Sequence, residues 1–154
     1  NLELFQDHCV FSEVEARSRY EIKLDEYSKI INIEALTMIE MAKTEIVPAV
    51  SAYSGELANT AIAKKELGIS AKADLDILNV IATLAEELNL RIINLENYME
   101  QTAGLSDCEK ARAFHDGIIP RMHDLRAVAD ELETYVAKDY WPFPSYGDML
   151  FSIK

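Results

Sequence analysis

The chain has 154 residues, enough for one domain with a real hydrophobic core, and its apolar share of 49% beside 27% charged residues suits a water-exposed globular fold. A formal charge of -12 repels phosphate backbones and anionic lipid surfaces, and the basic residues form no single stripe, so nucleic acid and membrane surfaces are not expected partners. No apolar run reaches the roughly 18 residues of a membrane span. The start, Asn1-Leu2-Glu3-Leu4-Phe5, lacks the basic and apolar regions of a signal peptide.

Cys9 and Cys108 are isolated and far apart, too few for a disulfide framework and wrongly spaced for a zinc knuckle, which points to a reducing cytoplasm. The first residue is not Met, so the chain is expected to be cut from something longer.

Five glycines and four prolines fall mostly where a helix stops or bends, leaving three long helical segments. The first opens on the capping box Ser12-Glu13-Val14-Glu15 and should run to about Leu67, where Lys64, Lys65, Gly68 and Ile69 make a stop signal. Tyr20, Leu24, Tyr27, Ile31, Ala35, Met38 and Ala42 step by threes and fours along one packing seam. Pro48 removes a backbone hydrogen bond and crowds the preceding turn, which predicts either a kink or a break between Thr44 and Pro48; Gly55 is a second weak point.

The second segment is expected from near Ser70 to Gly104, about 48 Å long, with its seam at Leu78, Ile81, Ala85, Leu88, Ile92, Leu95 and Met99. The third opens on Ser106-Asp107-Cys108-Glu109 and carries Ala111, Phe114, Ile118, Leu125, Val128, Leu132 and Tyr135, with an early bend at Gly117 and Pro120. Short connections require each helix to fold back on its predecessor. The expectation is therefore an all-α fold, a long antiparallel bundle of three to four helices, the fourth arising if Pro48 or Gly55 breaks the first. Residues 1–138 form the bundle and residues 139–154 an irregular tail of the same domain. The tail's two prolines bar continuation of the helix, while Tyr140, Trp141, Phe143, Tyr146 and Phe151 are too apolar to leave in water, so it should dock.

Chemistry-bearing residues are sparse. Neither a His-Glu-x-x-His run nor paired Glu-x-x-His motifs occur, and His115 and His123, eight apart near Asp116 and Asp124, read as a chance pairing on a helix surface. Cys108 sits in a first helical turn, where the dipole can activate a thiol, but no His lies near it in sequence to act as base. Glu34 lies among Ile30, Ile31, Ile33, Leu36 and Met38; a buried acid there is either catalytic or paired with an arginine such as Arg91 or Arg126, and pairing is favoured. Arg17 and Arg19 read as surface or interface ion-pair residues, and phosphate-cradling glycine loops are absent. No catalytic, cofactor-binding or metal residue is assigned.

Several stretches go beyond periodicity. Ser18-Arg19-Tyr20-Glu21-Ile22, the run from Ile33-Glu34-Ala35-Leu36-Thr37-Met38 to Lys43, Ile46-Val47-Pro48-Ala49-Val50, Tyr53-Ser54-Gly55-Glu56-Leu57, Leu125-Arg126-Ala127-Val128-Ala129-Asp130 and the end from Trp141-Pro142-Phe143-Pro144 to Phe151 resemble the C-terminal region of the type III glutamine synthetases. The likeness covers nearly the whole chain. It implies a parent enzyme that ligates ammonia to glutamate with ATP and divalent metal (Mg or Mn) and assembles as a large homo-oligomer. The family's nucleotide, glutamate and metal sites belong to a preceding catalytic domain, so none of its catalytic residues has a counterpart here. On that resemblance the chain is expected to be a structural and oligomerisation domain, without cofactor of its own, packed on the upstream catalytic domain and on neighbouring subunits. The alternatives are a free-standing helical interaction module and, last, a carboxylate metal enzyme built in the helix core.

Overall fold

The computed structural model describes residues 2–144 and 146–151. Those residues form helices and no strand: α1 (Leu2–Asp7), α2 (Glu13–Met41), α3 (Val47–Glu66), α4 (Lys72–Gln101), α5 (Asp107–Ala113), α6 (Ile119–Tyr135) and α7 (Tyr146–Phe151). The short α1 precedes the first segment read from the sequence.

Local chemistry sets most of these ends. Ser12 is extended, its hydroxyl accepts from the Glu15 backbone N–H at 3.3 Å, and the Glu15 carboxylate accepts the Ser12 N–H at 3.0 Å, so two otherwise orphaned donors are satisfied at the start of α2. At the far end Gly68 takes φ +72, the Ile69 N–H reaches Lys64 O at 2.8 Å and the Gly68 N–H reaches Lys65 O at 3.0 Å, which closes α3 with a left-handed glycine. Ile69 itself is 55% exposed, so the hydrogen bonds rather than an apolar contact carry this stop. α4 begins at Lys72 rather than Ser70 and ends at Gln101, its last turn closed by the Thr102 hydroxyl donating to Met99 O at 2.7 Å.

Pro48 neither breaks the first segment nor leaves it a plain α-helix. Residues Ala42–Ile46 form a π turn in which the Val47 N–H donates to Ala42 O, five residues back. A proline ring collides with the carbonyl four residues before it, here Thr44; widening the turn by one residue displaces that carbonyl and lets the helix continue. The same solution recurs before Pro120: Phe114–Ile118 is a π turn, and the Ile119 N–H donates to Phe114 O. Helix is thus continuous from Glu13 to Glu66, and again from Asp107 to Tyr135.

The relative directions follow from side-chain pairs. Lys43 meets Glu96 at 2.6 Å and Lys64 meets Asp74 at 2.7 Å, so α4 runs antiparallel to the first rod. Arg121 donates to Asn94 Oδ1 at 3.2 Å and Arg91 lies 3.6 Å from Asp124, so the α5–α6 rod runs antiparallel to α4 and hence parallel to α2. The shared core joins Ile31, Ala35, Ile39, Ile46 and Val50 with Ile81, Leu88, Ile92, Leu95, Phe114, Ile118, Leu125 and Leu132. Burying these side chains against one another, each worth about 1.5–3 kcal/mol, is what holds the rods together. Two seam positions differ from expectation. Tyr20 is 58% exposed and Tyr135 39% exposed; α6 ends at Tyr135, and it is the extended Val136 that turns inward.

Beyond Val136 the chain leaves helix. Tyr140, Trp141 and Phe143 are half-buried against the core, with the Tyr140 ring 5.3 Å from that of Tyr53 on α3 and Trp141 edge-on to Phe143 at 6.2 Å. The segment is not irregular throughout, because α7 forms after Pro144, and Lys138 pairs with Asp148 at 2.8 Å. Ser145 and residues 152–154 of the expected tail lie outside the described residues.

Candidate functional site

Two concave surfaces gather the residues that the sequence singled out. The first is an open groove of about 480 Å³ between α2 and α6. Ile33, Met38 and Met41 line one bank and Met122, Leu125 and Ala129 the other; Glu34 and Arg126 are its charged lining residues. The expected burial of Glu34 does not occur: the residue is exposed, and it meets neither proposed arginine. Arg91 donates to Glu87 at 2.8 Å within α4 and leans toward Asp124, while Arg126 meets Asp130 at 3.4 Å along α6. The reason is rotational. The core side of α2 is set by Ser28, Ile31, Ala35 and Ile39, and Glu34 lies about a quarter turn from that line.

The second surface is a shallow cleft where Tyr20, Leu24 and Tyr27 of α2 face Cys108, Ala111, Arg112, His115 and Asp116. It brings Cys108 and His115 to one cleft, two helical turns apart, a relation legible in their spacing of seven and missed by looking only for an adjacent histidine. His115 Nδ1 is 2.7 Å from Asp116 Oδ1, but the two side chains are 73% and 64% exposed and Cys108 is exposed too. No hydrogen bond joins the thiol to the imidazole among the described residues. Water-exposed groups of this kind lack the burial and locked geometry by which a base activates a nucleophile. His123, on α6, is exposed and lines neither surface.

No three His, Cys, Asp or Glu side chains converge among the described residues as a metal ion would need. Arg17 pairs with Glu13 at 2.8 Å on the surface, and Arg19 stacks over the Phe11 ring at 4.6 Å. No helix among the described residues is long and apolar enough to cross a membrane.

One buried polar atom has no partner among the described residues, the Ser28 hydroxyl on the core side of α2. A tighter junction lies at the second π turn. Gly117 packs so closely on Tyr98 of α4 that a Cβ would overlap the tyrosine ring, and Arg121 stacks on the same ring, its guanidinium 3.9 Å from the ring centroid and donating to Gly117 O at 2.9 Å. The Gly117 junction holds the α5–α6 rod against α4.

Comparison with known proteins gives this arrangement its context. Residues 1–65 match the family described as the glutamine synthetase C-terminal domain. The chain is 32% identical to a glutamine synthetase of Butyrivibrio fibrisolvens over 157 aligned residues, which take in 100% of this chain and 22% of that protein. It is 29% identical to the type-3 glutamine synthetase of Dictyostelium discoideum, with 98% of this chain and 22% of that protein covered, and 24% identical to a glutamine synthetase of Bacteroides fragilis. The chain thus spans about a fifth of the length of these relatives. Matched along its whole length to proteins far longer than itself, the chain corresponds to the C-terminal part of glutamine synthetases, a type-3 member among them.

Proposed function

We propose that this chain is the structural and assembly element of a glutamate-ammonia ligase, and that it does not itself bind substrate. On this reading residues 1–138 form the helical body and residues 139–154 a tail docked on it. The parent enzyme makes glutamine from glutamate and ammonia in the cytoplasm, using ATP and magnesium or manganese held in an upstream catalytic domain. The helical body packs against that domain and against neighbouring subunits of a homo-oligomer.

The observation that carries the reading is the distribution of apolar surface. A helix that faces water on one side keeps its apolar residues on the other. α2 instead carries Ile31, Ala35 and Ile39 inward and Ile30, Ile33 and Leu36 outward, the last three at 57%, 63% and 52% exposure. Surface of this kind on an otherwise acidic chain is what a packing element presents to a larger assembly.

Titration calorimetry of the 154-residue chain with ATP and magnesium, and separately with glutamate, should give no saturable heat. Saturable binding of either, or ATP hydrolysis by the purified chain, refutes the non-catalytic reading.

A further inference from the structure

The groove between α2 and α6 carries more information than its exposure. On α2, Ile30, Ile33, Thr37 and Met41 follow one another at steps of three, four and four, forming a second stripe nearly opposite the core-facing one. Ile33, Thr37 and Met41 of that stripe line the groove, whose opposite bank is Met122, Leu125 and Ala129. Methionines on both banks make the lining polarizable and adaptable to an inserted helix.

Its charges are what point to the occupant. The groove has one acid, Glu34 on the α2 side, and one base, Arg126 on the α6 side. Glu34 makes no ion pair among the described residues, and Arg126 is held by Asp130 in an exposed pair 3.4 Å long, of the kind that contributes little and is readily exchanged. A chain of charge -12 repels another copy of itself in general, so a homotypic contact requires a patch that is locally neutral and apolar, and this groove is one. A two-fold axis makes every contact occur twice with roles exchanged. An acid on one bank and a base on the other are self-complementary under that operation: each acid meets the other copy's base. Because α2 and α6 run parallel, a two-fold axis lying along the groove and parallel to both sets the second copy's α2 over this copy's α6 and its α6 over this copy's α2, which brings each Glu34 to the other copy's Arg126.

Resting on the assembly reading above, we propose that this groove is a homotypic interface that seats the Ile30, Ile33, Thr37 and Met41 face of α2 from a second copy of the chain, with Glu34 of each copy paired to Arg126 of the other.

Sedimentation equilibrium of the 154-residue chain, with circular dichroism to verify helix content, tests it by charge reversal. The chain should associate to a dimer. Glu34→Arg and Arg126→Glu should each weaken the association at least tenfold by placing like charges together, and the double reversal Glu34→Arg/Arg126→Glu should restore it to within about threefold of the parent. Ile33→Asp, at an exposed position that leaves the core untouched, should abolish the dimer. A helical chain that stays monomeric at millimolar concentration overturns the proposal, as do single reversals without effect or a double reversal that restores nothing. A monomer that still binds the upstream domain supplied in trans overturns this interface and keeps the assembly role. Binding of ATP or glutamate would instead strike at that role.

Discussion

Gly117→Ala adds one methyl group where the structure has no room for it. The new Cβ would overlap the Cε1, Cζ and Oη atoms of Tyr98, a ring half-buried against the core. Shifting that ring to make room disturbs the guanidinium stacked 3.9 Å from its centroid, and Arg121 is itself fixed by its bonds to Gly117 O and Asn94 Oδ1. Overpacking of this kind costs about 1–3 kcal/mol, and the displaced cation–π contact about 0.5–1 kcal/mol more. Against that stands the gain of about 1 kcal/mol from replacing glycine by alanine inside a helix. The net expectation is a loss of about 2 kcal/mol, or roughly 4–8 °C in Tm for a chain of this size. Gly55→Ala is the matched control: it lies in α3 with nothing within 4 Å of the added carbon, and should stabilise by about 1 kcal/mol. Urea unfolding followed by far-ultraviolet circular dichroism measures both. Tyr98→Leu in the Gly117→Ala background should recover part of the loss, a coupling of about 1 kcal/mol in the double-mutant cycle. If Gly117→Ala is as stable as the parent, the close junction of α6 on α4 is not where this reasoning puts it.

Ser28→Ala should stabilise by about 1 kcal/mol in the same assay, because it removes a buried hydroxyl without a partner and improves helix propensity; a loss of stability would mean the hydroxyl has an unseen role. The capping carboxylates make stability acid-sensitive. The Glu15 carboxyl is held below its usual 4.5 first by the Ser12 backbone N–H and then by the Ser12 hydroxyl, and Glu109 is held low by the Ser106 hydroxyl and backbone N–H. A lowered folded value stabilises the fold fully above 4.5 and is lost as pH falls through it, so Glu15→Gln/Glu109→Gln should flatten the fall of the urea midpoint with acidification. An unchanged slope refutes the assignment. Trp141 is the single tryptophan, half-buried beside Phe143, so its emission reports docking of the tail; Tyr53→Ala, which removes the ring against Tyr140, should shift that emission to the red. Deleting the residues after Lys138 from the full-length enzyme should disturb assembly or melting temperature before it disturbs the chemistry, and unchanged values of both would remove the tail from the account.

What could be read from the chain alone was whatever is settled within three or four residues. The Ser12 and Ser106 capping boxes, the left-handed Gly68 and the apolar steps from Ile81 to Leu95 depend on neighbours along one helix, and the helices begin, end and bury their faces close to where those signals lie. Proline marked the two places where the helix had to change, but not how: a kink, a break and a π turn all relieve the same clash, and packing of the rods on both sides of Pro48 and Pro120 selects the one that keeps the axis continuous. The fate of individual polar groups was decided only in three dimensions. Glu34 looked buried because its sequence neighbours are apolar, yet a helix turns 100° per residue and α2 has apolar residues on two faces, of which the chain covers one. The meeting of Gly117 with Tyr98 and the shared cleft of Cys108 with Tyr20 and Tyr27 likewise join residues from different rods. Such contacts depend on how far one rod slides and turns against another, and that is fixed by the sum of the core contacts rather than by any local signal.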